Sequence, residues 1–354
     1  MSSHVRCTRI IVAFITAVAA MATVPVVVLG QAPDGWIVPR TADGRPDLNG
    51  IWASDSATPF ERPESLGDRT TLTDEEVAAM LRHAARFASV GGDAVFGDSV
   101  FLGALASLDE PAETGPIPQP VPNRQLLPVG RGTGGYGHQW MGDRWFDNRT
   151  SLIVDPLNGR LPPRTPATEE RAGRNAPPPA GPETVAQELD RLDRGVRCRG
   201  GNPLLSGRGY NSNYQIFQSS DYVGIQIEMH HETRLIPIGE AAPSQVGARS
   251  VMGSSRGHWE GDTLVVETSN LLRGVSGSTP DVRVTERFSR VGPEQLQYEY
   301  TLDDPSTWTR PWTARIFMRP APGTGVIYEY ACHEGNYAAE LSLRSTRAAE
   351  ASKR

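Results

Sequence analysis

Two short stretches of this 354-residue chain place a histidine two positions from a carboxylate, Glu228-Met229-His230 and His258-Trp259-Glu260. A third, Glu329-Tyr330-Ala331-Cys332-His333, repeats the pairing at wider spacing. A carboxylate beside an imidazole fixes its tautomer and stabilises its cation, so such a pair can serve as a general base with its orienting group. Two pairs facing each other could instead ligate a divalent metal, with Glu228, His230, His258 and His333 as the set. The plainest alternative is a cross-strand polar pair on a wet sheet face, worth roughly a few tenths of a kcal/mol.

Several chemistries are excluded at once. The chain has one lysine, Lys353, so it has no internal lysine for a P-loop, a Schiff base or a kinase site. A formal net charge of -6 argues against a nucleic-acid footprint, which needs a basic face. Gly130-Arg131-Gly132-Thr133-Gly134-Gly135 fits G-x-G-x-x-G, but no βαβ unit surrounds it. Gly253-Ser254-Ser255-Arg256-Gly257 fits G-x-S-x-G, but a β-hairpin follows where a nucleophile elbow needs a helix. These exclusions favour chemistry that needs only proton transfer, without a cofactor, with a metal-dependent enzyme as the weaker alternative.

The elements that would position these residues are mostly strands. Arg149–Val154, Tyr214–Gln218, Tyr222–His230, Glu232–Ile238, Gly257–Glu260, Asp262–Thr268, Arg283–Ser289, Gln295–Leu302, Trp312–Met318 and Val326–Cys332 are short and rich in Ile, Val, Tyr and Thr. Such a series reads as an antiparallel meander, which must close into a barrel or pack on a second sheet to hide its edges. The expected fold is all-β, a barrel with a short helical N-terminal region, and the alternative is a β-sandwich. Alternation puts Tyr222, Gln226, Glu228 and His230 on one strand face, and Arg256, His258 and Glu260 on one face of the next hairpin.

Around this core, Arg6 and Arg9 precede an uncharged apolar stretch from Ile10 to Leu29, which reads as a signal peptide over residues 1–30, with an uncleaved anchor as the alternative. Export implies no stable membrane insertion after cleavage. Residues 31–147 form an arm, a helix and a Pro/Gly-rich connector. The helix starts at the capping box Thr73/Glu76, and Val77, Met80, Leu81 and Ala84 follow at helical spacing. A second short helix fits Pro182 to Leu192. Residues 148–340 hold the strands, and 341–354 form a polar tail. Beyond the signal, Cys198 and Cys332 either pair in an oxidising compartment or stay as two buried thiols.

The hairpin stretch Ser255-Arg256-Gly257-His258-Trp259-Glu260-Gly261-Asp262-Thr263-Leu264-Val265-Val266-Glu267-Thr268 resembles the hallmark of a large family of uncharacterised exported bacterial proteins. The blocks 149–156, 210–216, 307–314 and 328–337 are similar to the same family, so the likeness spans roughly residues 40–60 and 148–340. It implies an exported, lipocalin-like β-barrel and leaves the activity open. The chain departs from that family's pattern at Tyr136-Gly137-His138-Gln139-Trp140, so a role for His138 would be its own.

The sequence thus supports two functional readings. In the first, an exported enzyme (isomerase, lyase or hydrolase) acts on a small hydrophobic or phenolic compound inside the barrel. His258 would be the acid–base residue, with Glu260 orienting it and His230 or His333 as second proton-transfer group. Arg256 would anchor anionic character, Tyr330 would donate a hydrogen bond, and Glu228, Tyr298 and Trp312 would complete the pocket. In the second, the protein is a periplasmic or secreted carrier of an apolar ligand without catalysis. Tyr298, Tyr300, Trp308, Trp312, Phe317, Tyr328 and Tyr330 would line its interior.

Overall fold

The computed structural model describes residues 35–89, 98–109, 144–174, 184–192, 195–198, 200–207, 211–239, 248–321 and 326–352. The proposed signal 1–30, most of the 109–135 connector, the glycine run 130–135 and His138 lie outside the described residues. Among the described residues no helix is long and apolar enough to cross a membrane.

The strands form one antiparallel sheet that is nearly closed. They are β1 (Gly50–Ala53), β2 (Ile153–Asp155), β3 (Asn213–Gln218), β4 (Tyr222–Ile227), β5 (Glu232–Pro237), β6 (Ser254–Glu260), β7 (Thr263–Ser269), β8 (Arg283–Gly292), β9 (Gln295–Asp303) and β10 (Trp312–Pro320). Around the barrel the order is β5-β4-β3-β1-β10-β9-β8-β7-β6, with β2 paired to β10 outside this path. The meander from β6 to β10 follows the expected strands closely. β1, by contrast, lies in the stretch read as an extended arm, and its four residues bridge β3 and β10.

Closure rests on a seam between β5 and β6. Ile238 and Gly257 form a parallel bridge there, and the Gly239 N–H donates to the Gly257 carbonyl at 2.8 Å. Gly257 leaves little room for a side chain at this approach. A Cβ at that position would sit 2.7 Å from Ile238 Cδ1, 3.2 Å from Ile236 Cγ2 and 3.3 Å from Leu264 Cδ1.

Inward positions alternate along each strand: Val284, Glu286 and Phe288 on β8, Leu296, Tyr298, Tyr300 and Leu302 on β9, Trp312, Ala314, Ile316 and Met318 on β10. The aromatic residues stack into a chain. Phe288 meets Tyr298 at 4.9 Å between centroids, Tyr298 meets Tyr300 at 5.6 Å, Tyr300 meets Trp312 at 5.8 Å, and Trp312 meets Trp308 at 5.5 Å.

Both barrel ends are covered. At one, the arm 39–49 crosses from strand to strand: Arg45 lies over the Trp259 ring, Arg290 donates to the Asp47 carbonyl at 3.2 Å, and Gln218 donates to the Pro46 carbonyl at 3.0 Å. Leu48 is fully buried beneath it. At the other, residues 200–207 descend into the barrel.

A second, smaller core lies outside the wall, where α1 (Asp74–Ser89) and α2 (Ser99–Ala106) bury Met80, Phe101 and Ala104 against Leu66, Leu72 and Phe146. The Thr73/Glu76 capping box forms as expected, with Glu76 N–H to Thr73 Oγ1 at 3.2 Å and Thr73 N–H to Glu76 Oε2 at 2.8 Å. The Arg149 guanidinium lies 4.6 Å over the Phe317 ring and pairs with Asp147 at 2.6 Å, joining this layer to β10.

Four expectations change. β4 ends at Ile227 rather than His230, because the chain turns at Glu228–His231 with a His231 N–H to Glu228 carbonyl bond of 3.1 Å. The segment 326–332 is not a strand; the Cys198–Cys332 bond holds it against residues 195–198 instead. Within 341–354, helix α5 (Ala338–Ser352) packs on α4 (Val185–Arg191), where Ser342 hydrogen-bonds Glu188. α3 (Pro166–Arg174) occupies part of the Pro/Gly-rich segment 156–182, where no helix was expected.

The seam gives a direct stability test. Gly257→Val should lower unfolding stability by about 1–3 kcal/mol through overpacking, read by urea denaturation. An unchanged midpoint would show that the barrel does not depend on this close approach.

Candidate functional site

The expected site residues do not converge. His258 and Glu260 do form the anticipated dyad, Nε2 to Oε1 at 3.2 Å, but on the outer wall, with side chains 45% and 49% exposed. The cause is strand phase. Gly257 is the buried member of β6, its neighbours Arg256 and His258 therefore point outward, and Glu260 shares their face. Glu260 also pairs with Arg287 on β8, and that bond first, then His258, holds its carboxyl below the usual range. The dyad is thus a link in an exposed charged ladder.

His230 sits at the opposite end of the barrel, in the β4–β5 turn. It and His231 both adopt left-handed backbone, φ 63° and 55°. The expected separation of the two side chains on opposite faces of a strand is replaced by this turn. Glu228 does not orient His230; its carboxylate accepts the Asn213 backbone N–H at 3.0 Å and closes the turn. The His230 ring instead meets Tyr330 at 5.1 Å and 64°. His333, three residues on, is exposed. Among the described residues no group of three or more His, Cys, Asp or Glu is placed to hold a metal ion, so Glu228, His230, His258 and His333 do not form the expected set.

Tyr298 and Trp312 are inside the barrel and expose no surface, so their rings border no space that admits water. The same holds within 2% for Tyr300 and Trp308, whereas Phe317, also buried, faces the outer layer against Arg149 and Trp145, and Tyr328 is 67% exposed. This part of the interior is therefore filled by its own rings.

The polar centre of the barrel was not among the expected site residues. Arg234 on β5 points inward and meets Glu286 on β8 in a two-pronged pair, Nη1 to Oε1 at 3.0 Å and Nη2 to Oε2 at 2.8 Å. Their side chains are 2% and 0% exposed. Arg234 Nη2 also reaches Ser255 Oγ at 3.1 Å on β6 and Thr268 Oγ1 at 3.2 Å on β7. Tyr298 on β9 donates its hydroxyl to Glu286 Oε1 at 2.8 Å. One guanidinium therefore links β5 to β6, β7 and β8 across the seam.

Burial pulls the guanidinium's proton affinity down, but the Glu286 charge and hydrogen bonds outweigh it and hold Arg234 above its ordinary value. Burial, then Glu286, pushes the Tyr298 hydroxyl well up, so it stays protonated and a donor. Arg234 Nε nevertheless has no hydrogen-bond partner.

Over this floor lies the 200–207 segment. Arg234 Nη1 donates to the Pro203 carbonyl at 2.7 Å, and the Leu205 N–H donates to Tyr298 Oη at 3.2 Å. The Gly207 N–H donates to Tyr214 Oη at 2.9 Å. The disulfide Cys198–Cys332 lies just before the segment and ties it to the 326–337 stretch, where Asn336 Nδ2 donates to the Val196 carbonyl at 2.8 Å. The bond confirms pairing of the two cysteines over two separate thiols, and such bonds persist in oxidising compartments.

The missed residues had a signal. Arg234 is in phase with Ile236 and Ile238, and Glu286 with Val284 and Phe288, so each strand carries a charge beside apolar residues of the same face. Opposite charges on two apolar faces are expected to pair, since a lone buried charge is very costly.

The chain matches no protein-family model and no curated protein.

Breaking the central pair should be severe. Arg234→Met leaves Glu286 buried without its counter-charge, and should cost about 3–5 kcal/mol of stability, whereas Arg234→Met with Glu286→Leu should recover most of it. Thermal and urea unfolding of the single and double variants would show the difference. Equal losses in both would mean that the pair contributes packing rather than charge balance. Reducing the disulfide should separately cost about 2–5 kcal/mol, seen as a lower melting temperature with reductant.

Proposed function

We propose that the protein is an exported, lipocalin-like carrier that takes a small apolar ligand at the barrel end floored by Arg234, Glu286 and Tyr298. The observation that supports this most is that the inward chemistry is recognition chemistry. A charge-balanced pair and a protonated phenol lie within an apolar barrel, while the His258–Glu260 dyad stands outside it. Binding sites with a few fixed polar groups in an apolar surround orient ligands without converting them. The disulfide favours an oxidising location, and export by the N-terminal segment fits the resemblance to exported bacterial proteins. The carrier needs no cofactor, no nucleic acid and no membrane anchor.

A second reading keeps proton-transfer catalysis, an isomerase, lyase or hydrolase acting on a hydrophobic or phenolic compound. It moves the reacting base from His258 to His230. What favours it is the left-handed His230 backbone beside Tyr330, since strained residues often mark functional positions. In that enzyme His230 transfers the proton and Tyr330 donates a hydrogen bond to the substrate. Conversion of a co-purifying compound, lost in His230→Ala and kept in His258→Ala, would favour this reading over the carrier.

The carrier reading makes a simple demand. The neutral apolar dye N-phenyl-1-naphthylamine should bind saturably at one site per chain, with a micromolar dissociation constant and enhanced emission. The absence of saturable uptake by folded protein, verified by circular dichroism, would refute it.

A further inference from the structure

Residues 200–207 occupy the barrel in the manner of a ligand. Four hydrogen bonds of their backbone end on side chains: Pro203 on Arg234, Leu205 on Tyr298, Gly207 on Tyr214 and, within the segment itself, Leu204 on Asn202. No strand ladder is involved in any of these four. Leu204 and Leu205 are 4% and 0% exposed and belong to the main core. The floor thus receives an apolar body, one carbonyl acceptor at Arg234 and one N–H donor at Tyr298.

Charge selects among the molecules that could replace this segment. Arg234 is already neutralised by two hydrogen bonds to Glu286, so a carboxylate delivered to Nη1 would bring a second anion beside the Glu286 carboxylate. Like charges placed together in a desolvated site cost several kcal/mol. An ammonium would meet the guanidinium itself. A neutral carbonyl meets neither penalty, and the Pro203 carbonyl is such a group. The spare Nε–H of Arg234 gives the same guanidinium a further donor for an acceptor-rich head.

Resting on the carrier reading, we propose that the ligand is a neutral amide-bearing apolar molecule, an N-acyl or short apolar peptide-like compound, which displaces the Pro203–Leu205 segment from Arg234 and Tyr298. The chain's own segment is then an internal occupant, and the ligand must exceed its apolar contacts as well as match its carbonyl and N–H.

Displacement of N-phenyl-1-naphthylamine tests this, with dodecanamide, dodecanoate and dodecylamine as competitors at pH 7. Dodecanamide should compete at least about ten-fold more tightly than either charged analogue, a difference of about 1.4 kcal/mol. That advantage should vanish in the Arg234→Met/Glu286→Leu protein, which keeps an apolar interior, and shrink in Tyr298→Phe. Leu205→Ala should tighten dodecanamide by weakening the internal occupant. Equal competition by dodecanoate, or an amide advantage that survives in both variants, would overturn the proposed ligand class while retention of the dye leaves the carrier intact. Failure of the dye itself to bind would remove both.

Discussion

A charge cannot be left alone inside a β-barrel, and the Arg234–Glu286 pair answers that constraint while also closing the sheet. The guanidinium fork suits a carboxylate in two-pronged geometry. The Nη2 that holds Glu286 also reaches Ser255 and Thr268 on the far side of the seam. Backbone pairing at that seam is sparse, a parallel bridge at Ile238 and Gly257, so side chains supply much of the connection. Burial first, and then the carboxylate of the same pair, keep the Tyr298 hydroxyl protonated and a donor. That hydroxyl and the Arg234 Nη1 then seat the 200–207 segment. The closing seam and the seat of the 200–207 segment thus share one ion pair.

The two ends of the barrel are covered by different means. The arm end is held by cation–π contacts from Arg45 and Arg290 and by backbone bonds to Gln218. The loop end is held by side chains of the floor and by a disulfide that spans 134 residues of sequence. The outer helices contribute through a separate small core and leave the interior untouched.

Much of the architecture could be read from the chain. The strands from β7 to β10 fall close to where β-branched and aromatic alternation places them, and the Thr73/Glu76 box starts α1. β1 escaped because four residues, Gly50-Ile51-Trp52-Ala53, are too short to show a period and gain their identity only from β3 and β10. The turn at Glu228–His231 escaped because it lacks the Gly, Pro or Asn that usually mark one, and it is closed by a carboxylate on a distant backbone N–H. The dyad His258–Glu260 was legible as a pair, since residues two apart on a strand share a face.

The sequence by itself determined an all-β chain, which residues share a strand face, and the absence of lysine chemistry. These are local properties, decided by side-chain type and a period of two. Only the tertiary structure decided which face of each strand is inside, and so sent His258 outward and Arg234 inward. It also decided which partners meet, because Arg234 and Glu286 are 52 residues apart and come together only when the sheet closes. A strand's alternation has no preferred side until another strand covers one of its faces, and that covering is a property of the whole barrel.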